Sequence, residues 1–501
     1  MNGEDRRIRT LAVVGDGVAG WTAAAALARR IPHLSVAVVP VAKLRPAMVD
    51  LFGGAAPSIA DFHRDIGLAE QDVVVRTGSG FRLGTAFSGW TGHGSHYVHA
   101  FGEAGAPIGG APFAQLWARA SATRGGTGAG FDAYSPAAAM AAQGLFIPAE
   151  AGRDALLKGH GHGLQLDLTA YRAYLSSYAQ HLGVALAAQP LAEVLTAEGR
   201  LTALRLTDGA MLTADLFVDA TNGDARLIGA LDSDAAHDWR AWLRCDSIVR
   251  AAGPARADPP ALDGAIAIQA GWRLEMPLPT RTEQAVIYRE ADLGDRKVQR
   301  SLREAARAEP DAPFRFASGR RRQAWIGNVV AIGEAYATLE PLEAAPLHLL
   351  HAQVDRLVAT LPDRDFAPVE LDFYNRETAQ EADRMRDFLI LHYAVSRRPE
   401  PFWQAAAAMD LPAELAETLA LFRERGRLPI RDGESFSRDS WLAVLLGQEV
   451  IPRRTDPVAA LVDPAQAAQA MERFRQRLAA SLAAVPPHHL FLAHLKSLRP
   501  Q

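Results

Sequence analysis

Three closely spaced glycines carry the first chemistry that residue type and spacing suggest. Val13-Val14-Gly15-Asp16-Gly17-Val18-Ala19-Gly20 leads out of an apolar run into the alanine-rich, proline-free stretch Trp21 to Arg30. Gly15 permits a tight turn, Gly17 lets the backbone approach a pyrophosphate with no Cβ in the way, and Gly20 lets a helix lie close on a strand. The unpaired N–H groups at the helix start then face the anion, so Gly15, Gly17, Val18, Ala19 and Gly20 read as dinucleotide contacts. Asp16 sets a carboxylate beside that anion, which it repels unless its side chain turns away or caps the helix. Farther on, Ser95-His96-Tyr97-Val98-His99-Ala100-Phe101-Gly102 would place Tyr97, His99 and Phe101 on one face of a strand. On those residues alone a half-buried strand with satisfied histidines outweighs a substrate wall. No metal site is expected, because His93, His96 and His99 lack carboxylates at ligand spacing and His160 and His162 lie among glycines. Cys245 is the only cysteine, which excludes an internal disulfide and multi-cysteine metal sites.

The elements that must position these groups read as an α/β chain. A second apolar strand, Leu34 to Val39, follows the glycine helix, but it ends in Pro40 where a dinucleotide fold usually places an acid for the ribose hydroxyls. Leu168 to Leu182 reads as a helix, Val194 and Leu201 to Leu206 as strands around a Glu198-Gly199 turn, and Asp208-Gly209 as a hairpin turn. Leu216 to Thr221 reads as a buried strand rejoining the cofactor sheet, with Asp219 at its ligand-facing end. Strands near Ile266, Trp272 to Pro277 and Val286 to Tyr288 suggest a second sheet, and Val249 to Pro260 an Ala/Pro-rich connection. Asn328 to Ala335 gives another buried strand and glycine turn, running through Glu340-Pro341-Leu342-Glu343 into a helix, so the last cofactor contact, Gly333 and Glu334, lies far from the first. Apolar pairs at helical spacing after Phe373, such as Phe388 with Leu391 and Trp441 with Leu445, predict a helical cap.

The expected architecture is a Rossmann-like dinucleotide-binding sheet, a substrate-region β-sheet and a C-terminal helical cap. The expected divisions are 1–110, 191–240 and 326–360 for cofactor binding, 111–190 for substrate-region helices, 241–325 for the substrate sheet and 361–501 for the helical end. With 49% apolar and 22% charged residues and a net charge of −4, the chain has neither the basic field of a nucleic-acid binder nor an acidic tail. No apolar run reaches the ~20 residues that span a bilayer. A cytoplasmic protein with no membrane and no nucleic-acid partner is expected.

Taken in order, these pieces resemble the flavin-dependent tryptophan halogenases nearly end to end. The resemblance is carried by the Gly15/Gly17/Gly20 loop with Trp21, Gly80-Phe81-Arg82 through Phe87 and Trp90, His99-Ala100-Phe101-Gly102, and Asp219. It continues through Gly271-Trp272 with Met276-Pro277, Asn328 to Ala335, Glu340-Pro341-Leu342-Glu343, Arg386-Asp387-Phe388, His392-Tyr393, Pro401-Phe402-Trp403, Ser440-Trp441 and Gly447-Gln448. It implies FAD reduced by a separate flavin reductase, oxygen chemistry that turns halide into hypohalous acid, and passage of that acid to a lysine and a glutamate beside a clamped indole. By position Glu343 is the glutamate, Arg82 stands in place of the lysine, His99, Phe101 and Trp441 form the substrate wall, and the glycine loop, Asp219, Gly333 and Glu334 meet FAD. A homodimer is left open.

Four departures accompany the resemblance. Arg82 offers a guanidinium, which donates hydrogen bonds but is a poor proton donor and does not readily form a haloamine. Ala344-Ala345-Pro346 replaces the family's Ser-Thr-Gly, and Pro346 has no N–H for a halide. Trp272-Arg273-Leu274 lacks the second tryptophan of the family's Trp-x-Trp, and Gly54 stands where the family has a glutamate. The expectation is therefore a flavin-dependent oxidoreductase acting on an indole, tryptophan or another aromatic compound, with halogenation set against Arg82 and Pro346. The alternative is a catalytically degenerate protein of the same fold that binds a ligand or partner.

Overall fold

Leu11 to Val14 are apolar and fully buried, and they form the strand Thr10–Val14 at the centre of a six-stranded sheet. The computed structural model describes residues 6–123, 128–152, 154–232 and 236–498. These divide into two units, the first comprising Met1–Ser79, Leu166–Arg240 and Phe316–Met385, and the second comprising Gly80–Gln165, Ala241–Arg315 and Arg386–Gln501.

In the first unit the sheet runs Trp325–Ile326, Val329–Ala331, Leu216–Asp219, Thr10–Val14, Ser35–Val39, Ala185–Leu186. All neighbours are parallel except the first pair. Residues buried on both faces explain the continuous apolar runs, as parallel sheets require. The helix Val18–Arg30 follows the central strand, with every residue from Val18 to Leu27 buried. Val14 lies opposite both Val39 and Asp219, and Asp219 lies opposite Ala331, so the strand ends align on one edge. The late strand Val329–Ala331 does rejoin the first sheet, although about three hundred residues separate it from Thr10–Val14.

The second unit holds a seven-stranded sheet in the order Phe314–Arg315, Ser247–Pro254, Arg281–Tyr288, Gly271–Pro277, Asp263–Ile268, Gly84–Ser88, His96–Ala100. Much of the expected connection from Val249 to Pro260 is therefore a strand, paired residue by residue with Arg281–Tyr288. Its alternation buries Val249 and Ala251 against Val298 and Leu302 of the helix Asp295–Ala306. Gly80 to Ala100 also groups with this unit, where the sequence reading extends the cofactor region to residue 110. The reason is pairing: Gly84–Ser88 lies against Asp263–Ile268, and His96–Ala100 lies against Gly84–Ser88. The helical end is present as Pro401–Ala407, Ala413–Arg425, Arg438–Gly447, Pro464–Leu482 and His488–Ser497. No helix among the described residues is long and apolar enough to cross a membrane.

The turn between the first strand and helix is the tightest local constraint. Gly15 has φ +115°, and a Cβ on Gly20 would lie 1.8 Å from the Gly15 carbonyl oxygen. Gly20→Ala is therefore expected to push the helix off the strand, costing more than about 3 kcal/mol in urea denaturation and abolishing flavin binding.

Candidate active site

The dinucleotide edge is built by the aligned strand ends. Gly17 is the N-cap of the helix Val18–Arg30, in extended conformation, and its missing Cβ leaves the first turn open to close approach. A cavity of about 390 Å³ lies at this turn, bounded by Asp16, Gly17, Val18, Asp50, Thr169 and Arg172. Asp16 turns its carboxylate to Arg172, with Nη2 at 2.6 Å, and so is neutralised rather than aimed at the anion. Asp50 accepts from Val18 N at 2.9 Å. The glycine cradle, the helix start and the cavity fit the diphosphate of FAD, although Pro40 gives no side-chain acceptor for the ribose. Its carbonyl is taken by Leu191 N at 2.8 Å.

Asp219 is fully buried, and its carboxylate accepts from Thr221 N, Thr221 Oγ1, Leu227 N and Ile228 N at 2.7–3.0 Å. Those bonds fix the loop after the strand, so the side chain shapes the edge instead of presenting itself to a ligand. Gly333 has φ +56°, and its N–H donates to Gln353 Oε1 at 2.7 Å from the following helix. Glu334 accepts from Met48 N.

Glu343 and Ala344 form the next turn. Both are buried, and both hold left-handed backbone, at φ 57° and φ 60°, which costs non-glycine residues about 1–2 kcal/mol each. Residues kept in such conformations concentrate at functional sites. Pro346 stands in the first turn of the helix Ala345–Ala359, where an N–H has no intrahelical acceptor and a fixed φ suits the helix. Its presence removes one donor that an anion at this helix start would use.

Arg82, His99, Phe101 and Trp441 all belong to the second unit, and the structure joins them through rings. The Arg82 guanidinium lies 4.9 Å from the Phe101 centroid. His99 meets Phe101 edge-on at 6.0 Å and Phe388 at 5.8 Å, and Phe388 in turn meets Trp441 at 5.2 Å and stacks on Phe436 at 4.0 Å. Arg82 is 1% exposed; its Nε donates to Asp263 Oδ2 at 2.6 Å and its Nη2 to Thr85 Oγ1 at 2.6 Å. Asp263 Oδ1 also accepts from Gln165 Nε2 at 2.9 Å. A buried guanidinium demands such a partner, because an uncompensated charge in the interior costs several kcal/mol.

Asp263, Thr85, Gln165, Asp50, Arg172 and Gln353 escape the sequence reading. A lone arginine in the apolar stretch Gly80-Phe81-Arg82-Leu83 does signal that an acid is needed, but nothing in spacing selects Asp263, which lies 181 positions away. Among the described residues no group of three or more His, Cys, Asp or Glu side chains is placed to hold a metal ion. His160 instead ties two loops, contacting Leu157 O at 2.7 Å and Ile147 O at 2.9 Å.

Burial raises the Glu334 carboxyl from 4.5 to about 7, with Asp50 adding to the rise and the Met48 N–H and Arg45 opposing it. Between those values the folded chain keeps a proton that the unfolded chain has lost, so this group's contribution to stability falls as pH rises across the window. Glu334→Gln is expected to flatten that fall in the apo protein. Unfolding free energies from urea denaturation should match wild type near pH 4 and exceed it at pH 8, by at most about 3 kcal/mol.

Comparison with known proteins adds the family. The tryptophan halogenase model matches residues 10–464. The tryptophan 6-halogenase ThaL of Streptomyces albogriseolus is 26% identical over 504 residues, covering 91% of this chain and 92% of that protein. BrvH, a flavin-dependent halogenase from Brevundimonas sp. BAL3, superimposes with a TM-score of 0.91 at 34% identity, over 98% of this chain and all of that one. Xcc4156, a flavin-dependent halogenase from Xanthomonas campestris, gives 0.90 at 32% identity over 98% of each chain. Enzymes of this kind use FAD reduced by a separate flavin reductase. A family model spanning most of the chain, on the fold and glycine edge described above, shows that this chain belongs to the flavin-dependent tryptophan halogenase family.

Proposed function

We propose that the chain transfers halogen to an electron-rich aromatic ring of the indole class, tryptophan included. The observation that carries this reading is the buried run of rings from Phe101 through His99 and Phe388 to Trp441, with the Arg82 guanidinium over its end. Such a wall recognises a flat, electron-rich ring by stacking and edge contacts. FAD, when bound and reduced, supplies the oxygen chemistry that oxidises halide to hypohalous acid. Arg82, oriented by Asp263 and Thr85, is a fixed hydrogen-bond donor that holds this acid without forming a covalent bond to it. The C–halogen bond then forms as the O–halogen bond breaks, and the ring C–H proton is taken by the Glu343 carboxylate and handed on to the departing hydroxide, which leaves as water. The strained turn at Glu343 and Ala344 supports a fixed direction for that carboxylate.

The Arg82 to Asp263 pair and Pro346 favour a second reading, insertion of one oxygen atom into the same class of ring. Product mass separates the two. With FAD, a flavin reductase, NADH, oxygen, bromide and indole, the expected product carries bromine, whereas a gain of one oxygen would replace the halogenase reading by the second. Glu343→Gln is expected to lower product formation by about 100-fold or more with flavin binding unchanged. Arg82→Lys is expected to give no gain in halogenated yield, because Pro346 remains and an ammonium loses the fork that Asp263 and Thr85 hold. A large gain from that single substitution would overturn the role given to Arg82.

A further inference from the structure

We propose that Asp50 is an internal competitor for the cofactor's diphosphate, occupying its donors until FAD displaces it. This rests on the reading that FAD binds at the glycine edge. The Asp50 carboxylate accepts from Val18 N at 2.9 Å, from Ala47 N at 3.0 Å and from Asn222 Nδ2 at 3.2 Å. Val18 is the first residue of the helix Val18–Arg30, so one of the N–H groups that the glycine loop exposes to an anion is held by an anion of the chain itself. The place adjoins it: a Cβ on Gly17 would meet Asp50 Oδ1 at 3.0 Å and Oδ2 at 3.2 Å, so the carboxylate borders the space that the absent side chain leaves.

Asp50 rides on the four-residue helix Met48–Leu51, whose first N–H donates to Glu334. That helix is thereby tied to two points of the cofactor edge, the start of Val18–Arg30 and the Gly333 turn. Asn222 has φ 56° and is buried, and its amide also donates to Arg45 O at 2.8 Å, so the third donor to Asp50 is itself fixed. A diphosphate carries two negative charges and needs the same N–H groups. It cannot share Val18 N with a carboxylate at hydrogen-bond distance without strong repulsion. Asp50 therefore weakens the hold on FAD and helps expel it. This suits a chain whose flavin arrives already reduced from another protein and must leave to be reduced again.

The test is FAD affinity of the full chain, read by quenching of flavin fluorescence, for wild type, Asp50→Asn, Asp50→Ala and Asn222→Gly. Glycine accepts the φ of Asn222, so the last variant removes a donor to Asp50 without straining the backbone. Asp50→Asn and Asp50→Ala are expected to lower the FAD dissociation constant about tenfold, and Asn222→Gly about threefold. ADP, which carries the diphosphate without the flavin, should gain by the same factors when it displaces FAD. In hydrogen exchange, residues 45–51 of the apo Asp50→Ala protein should exchange faster than in wild type. Unchanged or weaker FAD binding by Asp50→Asn and Asp50→Ala, with wild type still binding FAD, would overturn the role of Asp50 alone. A gain for FAD with none for ADP would also overturn it, since the effect would then lie away from the diphosphate. Failure of every protein to bind FAD would remove the flavin reading and this proposal together.

Discussion

The register of four parallel strands is the constraint on which the rest of the first unit depends. Val39, Val14, Asp219 and Ala331 stand side by side, so the turns that follow them open on one edge. Parallel pairing permits this only because each crossover returns the chain to the same end of the sheet. The Gly15 turn, the Asp219 loop and the Gly333 turn come from three distant parts of the sequence and become one surface. Close packing then sharpens it: Gly20 against the Gly15 carbonyl aims the helix start, and Gln353 holds the Gly333 N–H from behind.

The second unit is organised by a different problem, that of keeping one charge in an apolar interior. Arg82 is held by Asp263 and Thr85, and Asp263 is held in turn by Gln165. Thr85 and Asp263 face each other across neighbouring strands, so the pairing of Gly84–Ser88 with Asp263–Ile268 sets the geometry of the cation. A lysine could not be bound in this way, because its ammonium is a point charge without a planar fork. The substitution therefore changes the electrostatics of a whole strand pair as well as one functional group.

Much of this was legible in the residues because it depends on local rules. The glycine loop, the buried strands, the Glu198-Gly199 and Asp208-Gly209 turns and the helices of the C-terminal end follow from spacing and backbone preference. The family resemblance added roles by position, and those at Asp219 show where position misleads. It ends the right strand, but burial turns its carboxylate onto its own loop. Ser247–Pro254 was hidden because alanine, glycine and proline make a weak strand signal, and only pairing with Arg281–Tyr288 and cover from the helix Asp295–Ala306 settle it. Asp50 and Asp263 could not be read at all. Each owes its importance to a partner far away in the chain, Val18 in one case and Arg82 in the other, and no periodicity links such pairs.

The turn at Glu343 and Ala344 carries one more consequence. Two successive residues in the left-handed region, with the rigid ring of Pro346 one residue beyond them, make this a stretch whose native shape is held by its surroundings against its own preference. Its tolerance to change is therefore inverted relative to an ordinary loop. Substitutions that relieve the backbone, such as glycine at 344, would raise global stability while releasing the aim of the Glu343 carboxylate. In this segment, selection for robustness and selection for a fixed turn geometry pull in opposite directions.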